Sequence, residues 1–140
     1  MSRRNSRELV FKMLFPINFK IEKEYKVELE QEFESVFDNE VLSEEDKQYI
    51  MVKYNNILSH KEELFKIIEP KLNGFSIDKV YKPDLVALLI AVYEIKYEED
   101  IPAKVSVNEA LELCKKYSTD KSAGFVNGVL ASILKEINNG

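Results

Sequence analysis

The sequence predicts an all-α protein of six or seven helices in two packed helical bundles, on three observations. Apolar residues recur at i, i+3, i+4 and i+7 along almost the whole chain. No segment keeps a period-two alternation bounded by hairpin turns. The chain has 140 residues, is 45% hydrophobic and holds only four glycines and four prolines, a size at which one domain buries a self-sufficient core.

The first segment runs from Arg3 past Phe15. Leu9, Val10, Met13 and Ile17 fall on one arc and Phe11 and Phe15 on another, the pattern of a helix packed between neighbours. Both phenylalanines are therefore expected in the core, the alternative being exposed rings that stack on bases. A box from Asn5 to Glu8 offers a helix start that would leave Arg3 and Arg4 in coil. Leu29, Phe33, Val36 and Phe37 mark a second helix. Ile50, Ile57, Leu58, Leu64, Phe65 and Ile68 form one longer stripe, with a weak start at Ser43 and Asp46 and a stop at Pro70 and Gly74.

In the C-terminal half, Leu85 to Tyr93 is an uninterrupted apolar run, read as a buried core helix with Pro83 in its first turn, where a missing N–H costs nothing. Ser106 and Glu109 form a capping box, with Val105 and Ala110 placed as a hydrophobic staple, predicting a helix start there. The last helix carries Phe125, Val126, Val129, Leu130, Ile133, Leu134 and Ile137. Gly124 and Gly128 lie inside it, each costing roughly 1 kcal/mol against alanine. Close helix approach is the favoured compensation, and a ligand groove beside Phe125 and Asn127 the alternative. These elements form an N-terminal group over about 3–70 and a C-terminal group over about 75–137, with no linker composition between them, so residues 1–140 are expected to be one domain.

Composition narrows the function. A formal net charge of -5 excludes nucleic-acid or membrane binding driven by bulk charge, so any RNA site is local. The lone cysteine, Cys114, permits no intrachain disulfide, fits a reducing cytoplasmic compartment and is expected in the core. The run from Leu85 to Tyr93 is far shorter than the ~20 residues of a membrane-spanning helix, and the N-terminus has no signal-peptide pattern. His60 sits among Lys61, Glu62 and Glu63 without a second ligand at metal spacing, and is expected at the surface. No catalytic constellation, metal site or cofactor motif emerges; the chain is expected not to be an enzyme.

Every arginine of the chain, Arg3, Arg4 and Arg7, lies in the first seven residues, and all the other basic residues are lysines. On a helix Arg4 is about 100° and Arg7 about 40° from Arg3, so the three share a face. Guanidinium forks bind phosphate bidentately and stack on bases, which lysine does not reproduce. The cluster also opposes the helix macrodipole, so stability alone would not select it. The plain alternative is a solvated, frayed terminus. Lys115, Lys116 and Lys121 flank the loop before the last helix, where the first two also suit the preceding helix's C-terminal dipole.

Two stretches resemble the NusB family: Arg3-Arg4-Asn5-Ser6-Arg7-Glu8 is similar to its arginine-rich opening, and Val107-Asn108-Glu109-Ala110 with Phe125-Val126-Asn127-Gly128-Val129-Leu130 to its C-terminal signature. Tyr93-Glu94 and Asp100-Ile101-Pro102 match in order between them. The sequence departs from the family pattern at Asn5, where an arginine is common, at Pro16, and at Leu89, where an arginine is frequent. The resemblance implies a two-bundle helical fold that binds the boxA element of ribosomal-operon RNA together with NusE, a small-subunit ribosomal protein, the pair acting on RNA polymerase. It also implies RNA contacts by Arg3, Arg4 and Arg7, with Lys115, Lys121 and Phe125 as neighbours, and a NusE-facing role for Asp84. A helical adaptor or homodimer that binds only protein is the competing function. A third, methyl transfer, is disfavoured because no cofactor-binding glycine motif is present.

Overall fold

The computed structural model describes residues 2–17, 19 and 42–139, and among them every regular element is helical. Six α-helices occur there: α1 (Arg3–Leu14), α2 (Glu44–Ser59), α3 (Lys61–Ile68), α4 (Lys82–Tyr97), α5 (Ala103–Tyr117) and α6 (Asp120–Asn139). Short 3₁₀ turns at Glu69–Lys71 and Ile77–Lys79 connect α3 to α4. The helix expected around Leu29 to Phe37 lies outside the described residues. None of the described helices is long and apolar enough to cross a membrane.

The chain divides into two compact units, Met1–Leu58 and Ser59–Gly140. The long helix read from Ile50 to Ile68 is two helices. His60 leaves helical geometry at φ -102° and ψ 8°, ending α2 and starting α3. Beyond that break α3 buries Leu64 and Ile68 and packs on α4 and α6. Pro70 sits in the 3₁₀ turn that follows. Asn73 and Gly74 then take φ of 54° and 93°, a left-handed reversal that glycine makes without strain and asparagine tolerates.

In the first unit, Ser2 caps α1 by accepting from the Asn5 N–H at 3.1 Å. The helix therefore begins at Arg3, one turn earlier than a start at Asn5 would allow, and Arg3 and Arg4 are helical. The helix ends at Leu14, ahead of Pro16, which cannot continue it. Ser43 caps α2 through the Asp46 N–H at 3.0 Å, as the sequence indicated.

In the second unit α4 is the centre, contacted by α3, α5 and α6. Every residue from Pro83 to Glu94 is buried, so this helix has no polar face over three turns, as a continuous apolar run requires. Glu94 is polar and completely buried, and Ser106 Oγ donates to its Oε1 at 2.7 Å. That bond overturns the capping box at Ser106. α5 starts four residues earlier, after Pro102, and the Ser106 hydroxyl serves the buried carboxylate of the neighbouring helix instead of a backbone N–H. The staple fails with it, since Val105 is exposed while Ala110 is buried. Cys114 is fully buried, and burial with Asp84 nearby pushes its thiol up to about 12.

On α6, Val126, Val129, Leu130 and Ile133 are buried, whereas Ile137 is exposed. Gly124 and Gly128 do not mediate close packing: a Cβ placed on either would meet open space. Both lie on the solvent side of the helix, opposite the stripe that packs on α4 and α5.

Candidate nucleic-acid interface

The expected site residues occur in both units. In the first, helical angle alone put Arg3, Arg4 and Arg7 on one face, and the structure separates them by depth. Arg3 and Arg4 are exposed, whereas Arg7 is only 3% exposed. Arg7 lies one turn further along α1, in register with Val10 and Leu14, both of which are fully buried.

The Arg3 guanidinium lies over the ring of Tyr49 on α2, 4.2 Å from the centroid. One turn on, Lys53 donates from Nζ to the Tyr49 hydroxyl at 3.3 Å and sits 5.5 Å from the same ring. Lys53 is only 3% exposed, an unusual burial for an ammonium. Two cations thus converge on one half-buried aromatic ring. Neither Tyr49 nor Lys53 was singled out from the sequence, because their relation to Arg3 is a contact between helices. The i, i+4 spacing of the pair was the one local signal.

Phe11 is buried as expected, but Phe15 is 44% exposed at the end of α1. The two rings are stacked with centroids 6.1 Å apart. Phe15 escapes burial because the helix stops at Leu14 and Pro16 redirects the chain.

In the second unit, the basic residues flank the loop between α5 and α6, Lys115 in the last turn of α5 and Lys121 in the first turn of α6. Lys115 and Lys121 are exposed, Lys115 facing Glu112 across 3.6 Å, and Phe125 is partly buried one turn into α6. Thr119 caps α6, accepting from the Ser122 N–H at 3.1 Å. Ser118 Oγ donates to Asp84 Oδ1 at 3.0 Å and lies 2.7 Å from Ser122 Oγ. Asp84 is 4% exposed, in the first turn of α4, where its charge also suits the helix dipole. Its carboxylate therefore fixes the loop that leads into α6, whose first turn carries Lys121. Nothing in the sequence paired Asp84 with Ser118, thirty-four residues away.

His60, expected at the surface, is partly covered. Its ring lies 4.7 Å from that of Tyr97, and Tyr97 in turn donates to both carboxylate oxygens of Glu63 at 2.7 Å. Lys96 pairs with the same carboxylate. The hydrogen bonds from Lys96 and Tyr97 hold Glu63 below the usual carboxylate range, and the bond to Glu63 raises the Tyr97 phenol.

A model of the NusB family matches residues 4–135. The chain belongs to the NusB family. The transcription antitermination protein NusB of Agathobacter rectalis is 46% identical over 132 residues, covering 94% of this chain and 98% of the relative. Among solved structures, T. maritima NusB superposes with a TM-score of 0.84 at 32% identity, covering 97% of this chain and 92% of that one. The structure of antitermination factors NusB and NusE in complex with dsRNA shares the fold, with a TM-score of 0.78 at 24% identity, covering 96% of each chain. The family and the all-helical fold expected from the arginine-rich opening and the Phe125 to Leu130 signature are thereby established.

Proposed function

We propose that the chain is a transcription antitermination factor that binds boxA RNA of ribosomal RNA operons together with the ribosomal protein NusE and acts on RNA polymerase. The observation that carries this reading is the family match, which spans both units and includes relatives named for transcription antitermination. It works as one RNA-binding module in the cytoplasm and is not an enzyme.

The physical support is local. In a chain of net charge -5, Arg3 and Arg4 are exposed on a helix that Ser2 caps, at the dipole end where stability alone disfavours cations. Such placement suits a phosphate backbone. In this reading Arg3 and Arg4 grip RNA, with Arg7 as the buried member of the set, and Lys115, Lys121 and Phe125 supply further contacts. Asp84 acts on the partner-facing side through the Ser118 loop that it orders, since its own carboxylate is buried.

The test is a titration of boxA RNA and a scrambled control at two salt concentrations, with and without NusE. The expected result is a preference for boxA that strengthens with NusE. Affinity should fall with salt by a log–log slope of about 0.7 per phosphate contact on single-stranded RNA. Equal or absent binding to both RNAs with NusE present would replace this reading with a protein-only adaptor.

A further inference from the structure

We propose that Tyr49 is a positioning residue of the RNA site, its ring holding the Arg3 guanidinium in place while Lys53 holds the ring. The inference rests on the reading of Arg3 as an RNA contact and goes beyond it by assigning a role on α2. Arginine at the exposed first residue of a helix samples many rotamers, and fixing it on a phosphate loses that freedom. A guanidinium already stacked 4.2 Å above an aromatic ring has lost much of it before RNA arrives. A planar guanidinium meets a ring with its face and a phosphate with its edge, a division of labour that an ammonium does not reproduce.

Lys53 completes the device. Its buried ammonium donates to the Tyr49 hydroxyl at 3.3 Å, which restrains the ring at its hydroxyl end. Because Tyr49 and Lys53 are one turn apart on a single helix, the platform is built by α2 alone and presented to α1. With Lys53 5.5 Å from the ring centroid, the ring that carries Arg3 is also in reach of a second positive charge. The arrangement provides positive potential at one point of an acidic chain, where the bulk charge would repel RNA.

The full chain with NusE would be titrated with boxA RNA at two salt concentrations as the native protein and as Arg3→Ala, Arg3→Lys, Tyr49→Leu, Tyr49→Phe and Arg3→Ala/Tyr49→Leu, with each variant's melting curve recorded. Tyr49→Leu is expected to weaken binding about two- to fivefold, the size of a cation–π contact at an exposed site, with no change of salt slope because both cations remain. Tyr49→Phe keeps the ring but loses the hydroxyl that Lys53 holds, and its affinity should fall between those of native and Tyr49→Leu. Arg3→Lys keeps the charge but not the planar stack and should repeat the Tyr49→Leu loss, even where Tyr49→Leu itself fails to fold. In the Arg3→Ala background, Tyr49→Leu should cost nothing further. Native-like binding by Arg3→Lys, or an equal Tyr49→Leu loss with and without Arg3, would overturn the role of Tyr49 while leaving Arg3 an RNA contact. Unchanged binding by Arg3→Ala would instead remove the assignment of Arg3 and the inference with it.

Discussion

Replacing Ser106 by alanine removes one partner of a buried polar bond between α4 and α5. The Ser106 hydroxyl and Glu94 Oε1 are 2.7 Å apart, and both residues are shielded from solvent. Removing the donor leaves a buried carboxylate oxygen short of one hydrogen bond, a loss of about 1–3 kcal/mol. Alanine is the better helix former, which returns ~0.5 kcal/mol in the body of α5. The net expectation is a destabilisation of about 1–2 kcal/mol. At ~2.1 cal/mol/K per residue, unfolding the 140-residue chain carries an entropy near ~0.3 kcal/mol/K, so Tm should fall by about 3–7 °C. Thermal unfolding followed by circular dichroism measures this, with urea titration giving the free energy at one temperature. A Tm within a degree of native would show that the Ser106 bond does not support Glu94, and the account of why α5 starts at Ala103 would fall with it.

Other substitutions probe different parts of the structure. Gly124→Ala and Gly128→Ala each place a Cβ in open space and should stabilise by about 0.5–1 kcal/mol, raising Tm by about 2–3 °C; a lower Tm would restore close helix packing as their role. Cys114 should resist alkylation at pH 8 in the native chain and react once urea unfolds it, because its thiol is buried and raised to about 12. A folded pKa above the unfolded one stabilises fully below the unfolded value and is lost as pH rises toward the folded one. Between about pH 9 and 12 this group should therefore weaken the fold by about 1.4 kcal/mol per pH unit. Cys114→Ala should show a shallower alkaline decline than native in pH-dependent urea titrations, and identical slopes would count against the burial argument.

The second unit was readable because its strongest signal is composition. A run such as Leu85 to Tyr93 admits one outcome in a helical protein, and Pro83 marks its first turn. The break at His60 was invisible for the opposite reason: the interval from Ile57 to Leu64 is seven residues, two turns of a continuous helix, so the apolar register is the same whether the helix bends or not. Ser106 failed as a cap because the capping-box pattern is local, while the demand that claimed its hydroxyl came from Glu94 on another helix. Gly124 and Gly128 misled for a related reason, since the cost of glycine is a backbone property and gives no information about what stands beside it. At the candidate interface, sequence located the basic residues, because clustering of arginine is itself a sequence property. It could not tell that Arg7 is buried, that Tyr49 lies beneath Arg3, or that Asp84 is committed to Ser118, because each of these is a contact between separate elements.

The all-round burial of α4 also has a consequence during synthesis. Its apolar segment leaves the ribosome before the α5 and α6 residues that cover it, among them Leu113, Leu130 and Ile133. At ~5–20 residues per second, the stretch from Tyr97 to Ile133 takes about 2–7 s to translate, far longer than hydrophobic collapse. For that interval the nascent chain carries an uncovered oily helix next to its neighbours on the polysome. A chain terminated anywhere in α5 would keep that exposure permanently, so truncation in the last third of the gene should yield aggregated or degraded product and not a shortened working factor.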